Sequence, residues 1–97
     1  MLYMVIETFI ADADVVYARF NEKGRMLPDG LAYVNSWVSE DRTVCYQIME
    51  TPDRALLDEW ITRWNDIVSF EVVPVHQSAD AQKLILGMEQ VSTPPGT

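Results

Sequence analysis

The run Leu2 to Ile10, Leu-Tyr-Met-Val-Ile-Glu-Thr-Phe-Ile, is apolar at both parities. Its density of β-branched and aromatic residues reads as a strand. Tyr3, Val5 and Phe9 fall on one face, and Met4, Ile6 and Ile10 on the other. A strand apolar on both faces has to be covered on both. The chain has 97 residues, which is one domain, and a lone domain of this size hides only roughly 60–65% of its unfolded surface. The second face therefore calls for a partner subunit.

The elements that follow set the topology. Asp12 or Asp14 caps a helix in which Val16 and Phe20, with Val15 beside them, face the sheet, and Gly24 closes it. Arg25 to Gly30 is a connection that turns at Pro28-Asp29-Gly30. Leu31 to Ser39 and Thr43 to Glu50 are strands around the polar loop Glu40-Asp41-Arg42. Thr51 is placed as an N-cap, with Pro52 at the first helical position, where no hydrogen bond is lost. Leu56, Leu57, Trp60, Ile61, Trp64, Ile67 and Val68 form one apolar stripe, and Glu59 and Arg63 an i,i+4 pair on the solvent side. Ser69 to Val75 is the fourth strand. The order is βαββαβ, and right-handed crossovers put both helices on one face of a four-stranded antiparallel sheet, the ferredoxin-like α+β fold. This domain spans residues 1–78. Residues 79–91 are a C-terminal extension, either a short helix or an edge strand over Lys83 to Leu86, and residues 92–97 a disordered tail. The bare sheet face predicts a homodimer, two sheets packed about a two-fold axis.

Charge narrows the function. Seven Lys and Arg against 15 Asp and Glu give a net charge of -8, which argues against nucleic acid and anionic membrane as partners. No run reaches the ~18–20 apolar residues of a membrane span, and the N-terminus has no basic region of a signal peptide. Cys45 is the single cysteine and His76 the single histidine, so neither an internal disulfide nor a zinc site is expected, and a reducing cytoplasm fits. With no glycine-rich phosphate loop and no catalytic elbow, the reading includes no cofactor and no metal.

The run Asp58-Glu59-Trp60-Ile61-Thr62-Arg63-Trp64-Asn65-Asp66-Ile67-Val68-Ser69-Phe70-Glu71-Val72-Val73-Pro74-Val75 is similar to the signature of a small family of unknown function. Members of that family resemble the dimeric α+β barrel superfamily. Leu27-Pro28-Asp29-Gly30 and the strand ending in Trp37 match its Pro-rich turn and second strand, and the likeness covers about residues 1–78. The chain departs at Asn35-Ser36 and at Val38, where family members often carry Gly-Arg and His. The resemblance implies the fold and the dimer. The wider superfamily includes cofactor-free monooxygenases, isomerases, haem-degrading enzymes and stress-responsive binding domains, a fold-level analogy only.

The candidate site is a cleft between helices and sheet that takes a small apolar or aromatic molecule. Trp60 and Trp64 wall it, unless they simply pack the core. Tyr33, Asn35 and Trp37 share one parity of the second strand. They either line the cleft or, on the other face, build the dimer, and in the catalytic version Tyr46 holds the substrate with Trp37 and Trp60. Glu7 interrupts an apolar strand and is read as a general base or as an interface carboxylate held by water or tyrosine. His76 is either a proton shuttle at the cleft mouth or a solvated residue at a strand end. Cys45 is read as an inert filler, and Asp66 as a cap or the partner of an arginine. A cavity of a few hundred Å3 beside Trp60 marks a binding site, with isomerisation or cofactor-free oxygenation as the reaction class. A packed cleft marks a non-catalytic dimeric interaction or regulatory module.

Overall fold

The computed structural model describes residues 1–89. Four strands and three helices follow one another: β1 Leu2–Phe9, α1 Ala13–Lys23, β2 Ala32–Val38, β3 Val44–Glu50, α2 Arg54–Ile61, β4 Val68–Val75 and α3 Ser78–Glu89. The strands lie in the order β2-β3-β1-β4, each antiparallel to its neighbour. This is the ferredoxin-like α+β sheet expected from the element order. The extension after β4 takes the helical alternative, as α3. Residues 92–97, read as a disordered tail, lie outside the described residues. No described helix is long and apolar enough to cross a membrane.

Alternation along the strands assigns the two faces. On β1, Tyr3, Val5 and Glu7 are buried and Phe9 partly so, while Leu2, Met4 and Ile6 are only half-buried. On β3, Cys45, Gln47 and Met49 are buried, and Tyr46 is 41% exposed. The buried set meets Val16 of α1, Leu57 and Trp60 of α2, and Trp64 in one core. α1, α2 and the turns after α2 therefore cover the Tyr3–Val5–Glu7 face. The opposite face carries Met4, Ile6, Ile48, Tyr46 and Trp37, of which Trp37 and Tyr46 are exposed and the others half-buried.

Local chemistry differs from the sequence reading at three points. Val15 is 48% exposed, because α1 turns one narrow stripe inward and Val16 occupies it. α2 is capped by Asp53, whose side chain accepts from Ala55 N at 3.0 Å. Thr51 does not cap the helix. It is 1% exposed, and its Oγ1 accepts from Asp53 N at 3.1 Å. The third difference is length. α2 ends at Ile61, and the stripe is carried on by tight turns, with Arg63 N and Trp64 N donating to Trp60 O and Ile61 O at 3.0 Å each. Three-residue spacing in those turns keeps Trp64, Ile67 and Val68 buried although the regular helix has stopped.

Two glycines have conformational reasons. Gly24 closes α1 at φ 68°, its N–H donating to Phe20 O at 2.7 Å, a positive φ that glycine adopts without a Cβ penalty. Gly30 sits at φ 94°, a backbone conformation that other residues rarely adopt, and a Cβ there would also push on Leu56 Cδ1 at 2.8 Å.

Candidate functional site

β1, β2, β3, α1 and the Trp60–Trp64 segment line a half-open cleft of about 160 Å3. Drug-sized pockets run ~300–1,000 Å3, so this one is smaller than the few hundred Å3 expected from the sequence. A cavity of ~150 Å3 admits benzene, so the space suits a single ring. Its walls are aromatic and aliphatic, with Phe9, Tyr17, Phe20, Trp60 and Trp64 among them. Glu7 and Arg25 are the charged residues that line it.

Glu7 stands on the helix side of the sheet, between Cys45 on β3 and Phe70 on β4 in register. It is 8% exposed, and its Oε2 is buried with no hydrogen-bond partner. Burial pushes its carboxyl up to about 7, and Arg25 pulls it part of the way back. Glu7 thus belongs to the cleft and not to the bare sheet face, which corrects the reading of it as an interface carboxylate. A buried acid left without a donor is costly, and a raised value near neutral suits a group that gives and takes a proton.

Arg25 follows Gly24 directly. Its guanidinium lies 3.6 Å from the Tyr33 ring centroid and 5.1 Å from that of Phe20. Both indoles fix its backbone. Trp60 Nε1 donates to Arg25 O at 2.8 Å and Trp64 Nε1 to the same oxygen at 3.0 Å. The Arg63 guanidinium donates to the neighbouring Met26 O, and Met26 holds a left-handed φ of 59°. Three donors from α2 and the turns after it therefore pin a strained turn, of the kind that costs ~1–3 kcal/mol per residue, so that one cation faces the cleft. The two tryptophans do more than fill the core: they hold the loop that carries Arg25.

The remaining residues sort by face. Tyr33 is opposite Met49 on the helix side and stacks on Arg25. The sequence puts Asn35 and Trp37 on the same parity as Tyr33, but a register shift between Tyr33 and Asn35 breaks it. After the bulge Asn35 pairs with Ile48 and Trp37 with Tyr46, all on the open face. Asn35, Trp37 and Tyr46 are therefore outside the cleft, and Ser36 and Val38 take the inward positions. His76 is exposed beyond the end of β4. It lies six positions past Phe70, the register partner of Glu7, about 20 Å along the strand. Of its two readings, a shuttle at the cleft mouth and a solvated residue at a strand end, His76 takes the second, and it lines a separate depression beside Met1 and Asp80.

Arg25 and Gln47 were missed by sequence reasoning. Gln47 is 4% exposed and lines the cleft beside Glu7; a polar residue inside an alternating strand was the signal. Arg25 had no local signal, because a loop brings it across. Cys45 is buried beside Glu7, and burial first, then the Glu7 charge, pushes its thiol up to about 11, so it stays protonated and inert. Asp66 pairs with Arg19 in a two-pronged bond, 2.7 Å on each prong. That hydrogen bond holds the Asp66 carboxyl below its ordinary range and ties α1 to the turn before β4. The Glu59–Arg63 pair forms at 3.2 Å. No cluster of His, Cys, Asp and Glu among the described residues could hold a metal ion.

No curated protein matches this sequence. The family model described as domain of unknown function DUF3303 matches residues 1–89, and the chain belongs to that family.

Proposed function

We propose that this protein binds a single-ring small molecule in the cleft between the helices and the sheet, and that Glu7 exchanges a proton with it. One observation carries the reading: Glu7, whose carboxyl has a buried oxygen without a partner, lines a cavity whose second charged wall is Arg25. Folded interiors rarely leave such a group unpaired unless it has work to do. A carboxylate that takes a proton from a bound ring acid leaves an anion, and Arg25 stands ready to stabilise it. That step serves an isomerase or a cofactor-free oxygenase equally. The rival, an interaction module with a packed cleft, is disfavoured by the open space beside Trp60 and Trp64. A thermal-shift screen of small aromatic acids, phenols and amines is the test. A true ligand at 100 times its dissociation constant adds about 2.7 kcal/mol, and a screen in which no single-ring compound raises the melting temperature contradicts the reading.

The same reading makes the protein a homodimer through its open sheet face. Trp37 is 56% and Tyr46 41% exposed, directly opposite each other in register, with Met4, Ile6 and Ile48 alongside. A second copy presents the same patch about a two-fold axis, which gives β1 the second cover its sequence demands. Light scattering should return twice the 11.1 kDa of one chain. A single-chain particle at micromolar concentration contradicts it.

A further inference from the structure

Resting on that reading of the cleft, we propose that its ligand class is a ring-bearing monoanion, a carboxylate or an equivalent oxyanion, and that the anion enters together with one proton that Glu7 holds.

The charges on the walls decide this. The groups that face Glu7 are few. Tyr17 comes from α1, Cys45 from β3, and Arg25 from the loop after α1, while Phe70 of β4 and the two indoles bring no titratable group. Cys45 stays a neutral thiol because burial and the Glu7 charge both oppose its ionisation. Two charges therefore matter. Arg25 is cationic, and no salt bridge joins it to an acid among the described residues; it is held instead against the faces of Tyr33 and Phe20. With Glu7 ionised, the walls are neutral in sum, and an added anion meets a like charge at short range in a desolvated site. With Glu7 protonated, the walls carry one positive charge, and an anion neutralises it. A cationic ligand fails in both states, since it sits beside Arg25 and displaces a favourable attraction.

Hydrogen bonding points the same way. Oε2 of Glu7 lacks a donor. A proton on the carboxyl removes that need, and the O–H then donates to the ligand's anionic oxygen while the Arg25 guanidinium donates to the same group. The atoms balance simply: the ligand anion and a solvent proton enter, no covalent bond of the ligand changes, and the proton rests on Glu7. A neutral ring acid that gives its own proton to ionised Glu7 reaches the same bound state without uptake from solvent. Proton uptake with the anion is therefore the reverse side of the proton exchange proposed above, and it can be measured without knowing the physiological ligand.

Benzoate is the probe, with phenol and benzylamine as its neutral and cationic counterparts. Isothermal titration of the full chain at pH 8, in phosphate and again in Tris, reads proton uptake from the difference in apparent enthalpy. Close to one proton per benzoate is expected, falling toward zero at pH 5.5, where Glu7 is already protonated. Affinity should weaken about tenfold per pH unit above pH 7. Glu7→Gln should keep benzoate binding and lose both the uptake and the pH dependence, and Arg25→Leu should weaken it at least tenfold. Benzoate binding at pH 8 without proton uptake overturns the proposal, as does tighter binding of phenol or benzylamine than of benzoate. If none of the three binds the wild type, the cleft reading itself falls.

Discussion

Glu7→Gln should melt well above the wild type at pH 8 and at nearly the same temperature near pH 4.5. Burial holds the Glu7 carboxyl at about 7 against an ordinary value of 4.5. Folded protein therefore binds a proton that the unfolded chain releases, and between those two values stability falls as pH rises. Below 4.5 the carboxyl is neutral in both states and nothing is lost. Above about 7 it is ionised in both, and the loss is complete. At 1.36 kcal/mol per unit the full loss is about 3 kcal/mol, which for a domain of this size is on the order of 10 °C in melting temperature. Glutamine keeps the shape and removes the charge. The melting-temperature difference between variant and wild type should grow between pH 4.5 and 7 and then level. The net charge of -8 makes both proteins self-repelling as pH rises, and Cys45 titrates far above this window, so the difference isolates Glu7. A gap that does not change with pH would show that Glu7 is not the buried, uncompensated acid described here.

Trp37→Glu should convert the proposed dimer into single chains. The wild-type indole lies on the open face opposite Tyr46, and 56% of its surface is free in one chain. Buried tryptophans at interfaces often cost ≥2 kcal/mol on truncation. A two-fold axis brings the substitution in twice, so the loss is at least ~4 kcal/mol, roughly a thousandfold in dimer dissociation constant. Two added carboxylates close to the axis increase it. The helix side of the sheet, with Leu57 and Met49 at 0% exposure, is untouched, so the single chain should stay folded by circular dichroism. Sedimentation at micromolar concentration reads the outcome. A variant that sediments like the wild type contradicts the assignment of the open face.

The sequence made the fold legible because each element carried its own signal. The two-faced apolar run over β1, the Gly24 cap and the Pro28-Asp29-Gly30 turn are local, and element order does the rest. Glu7 stood out for the same reason, as one charge in a greasy strand. The bulge between Tyr33 and Asn35 left no such mark. No glycine or proline flags it, and one extra residue moves Asn35 and Trp37 to the other face. The cleft's second charge was equally hidden. Arg25 reads as a connection residue, and only the folded chain shows two indoles and Arg63 converging on the carbonyls of residues 25 and 26. His76 stayed open between shuttle and solvated residue because sequence distance says nothing of the length of a sheet.

The side-chain indole N–H signals of the wild-type protein test the cleft most directly. There are three, from Trp37, Trp60 and Trp64. Trp60 and Trp64 line the cleft and share the Arg25 carbonyl, whereas Trp37 is on the opposite face of the sheet. A benzoate titration followed by proton–nitrogen correlation spectra should move the Trp60 and Trp64 indole signals together along one saturating curve and leave that of Trp37 in place. Saturable binding that shifts Trp37 and leaves the other two unmoved would contradict a ligand site between the helices and the sheet.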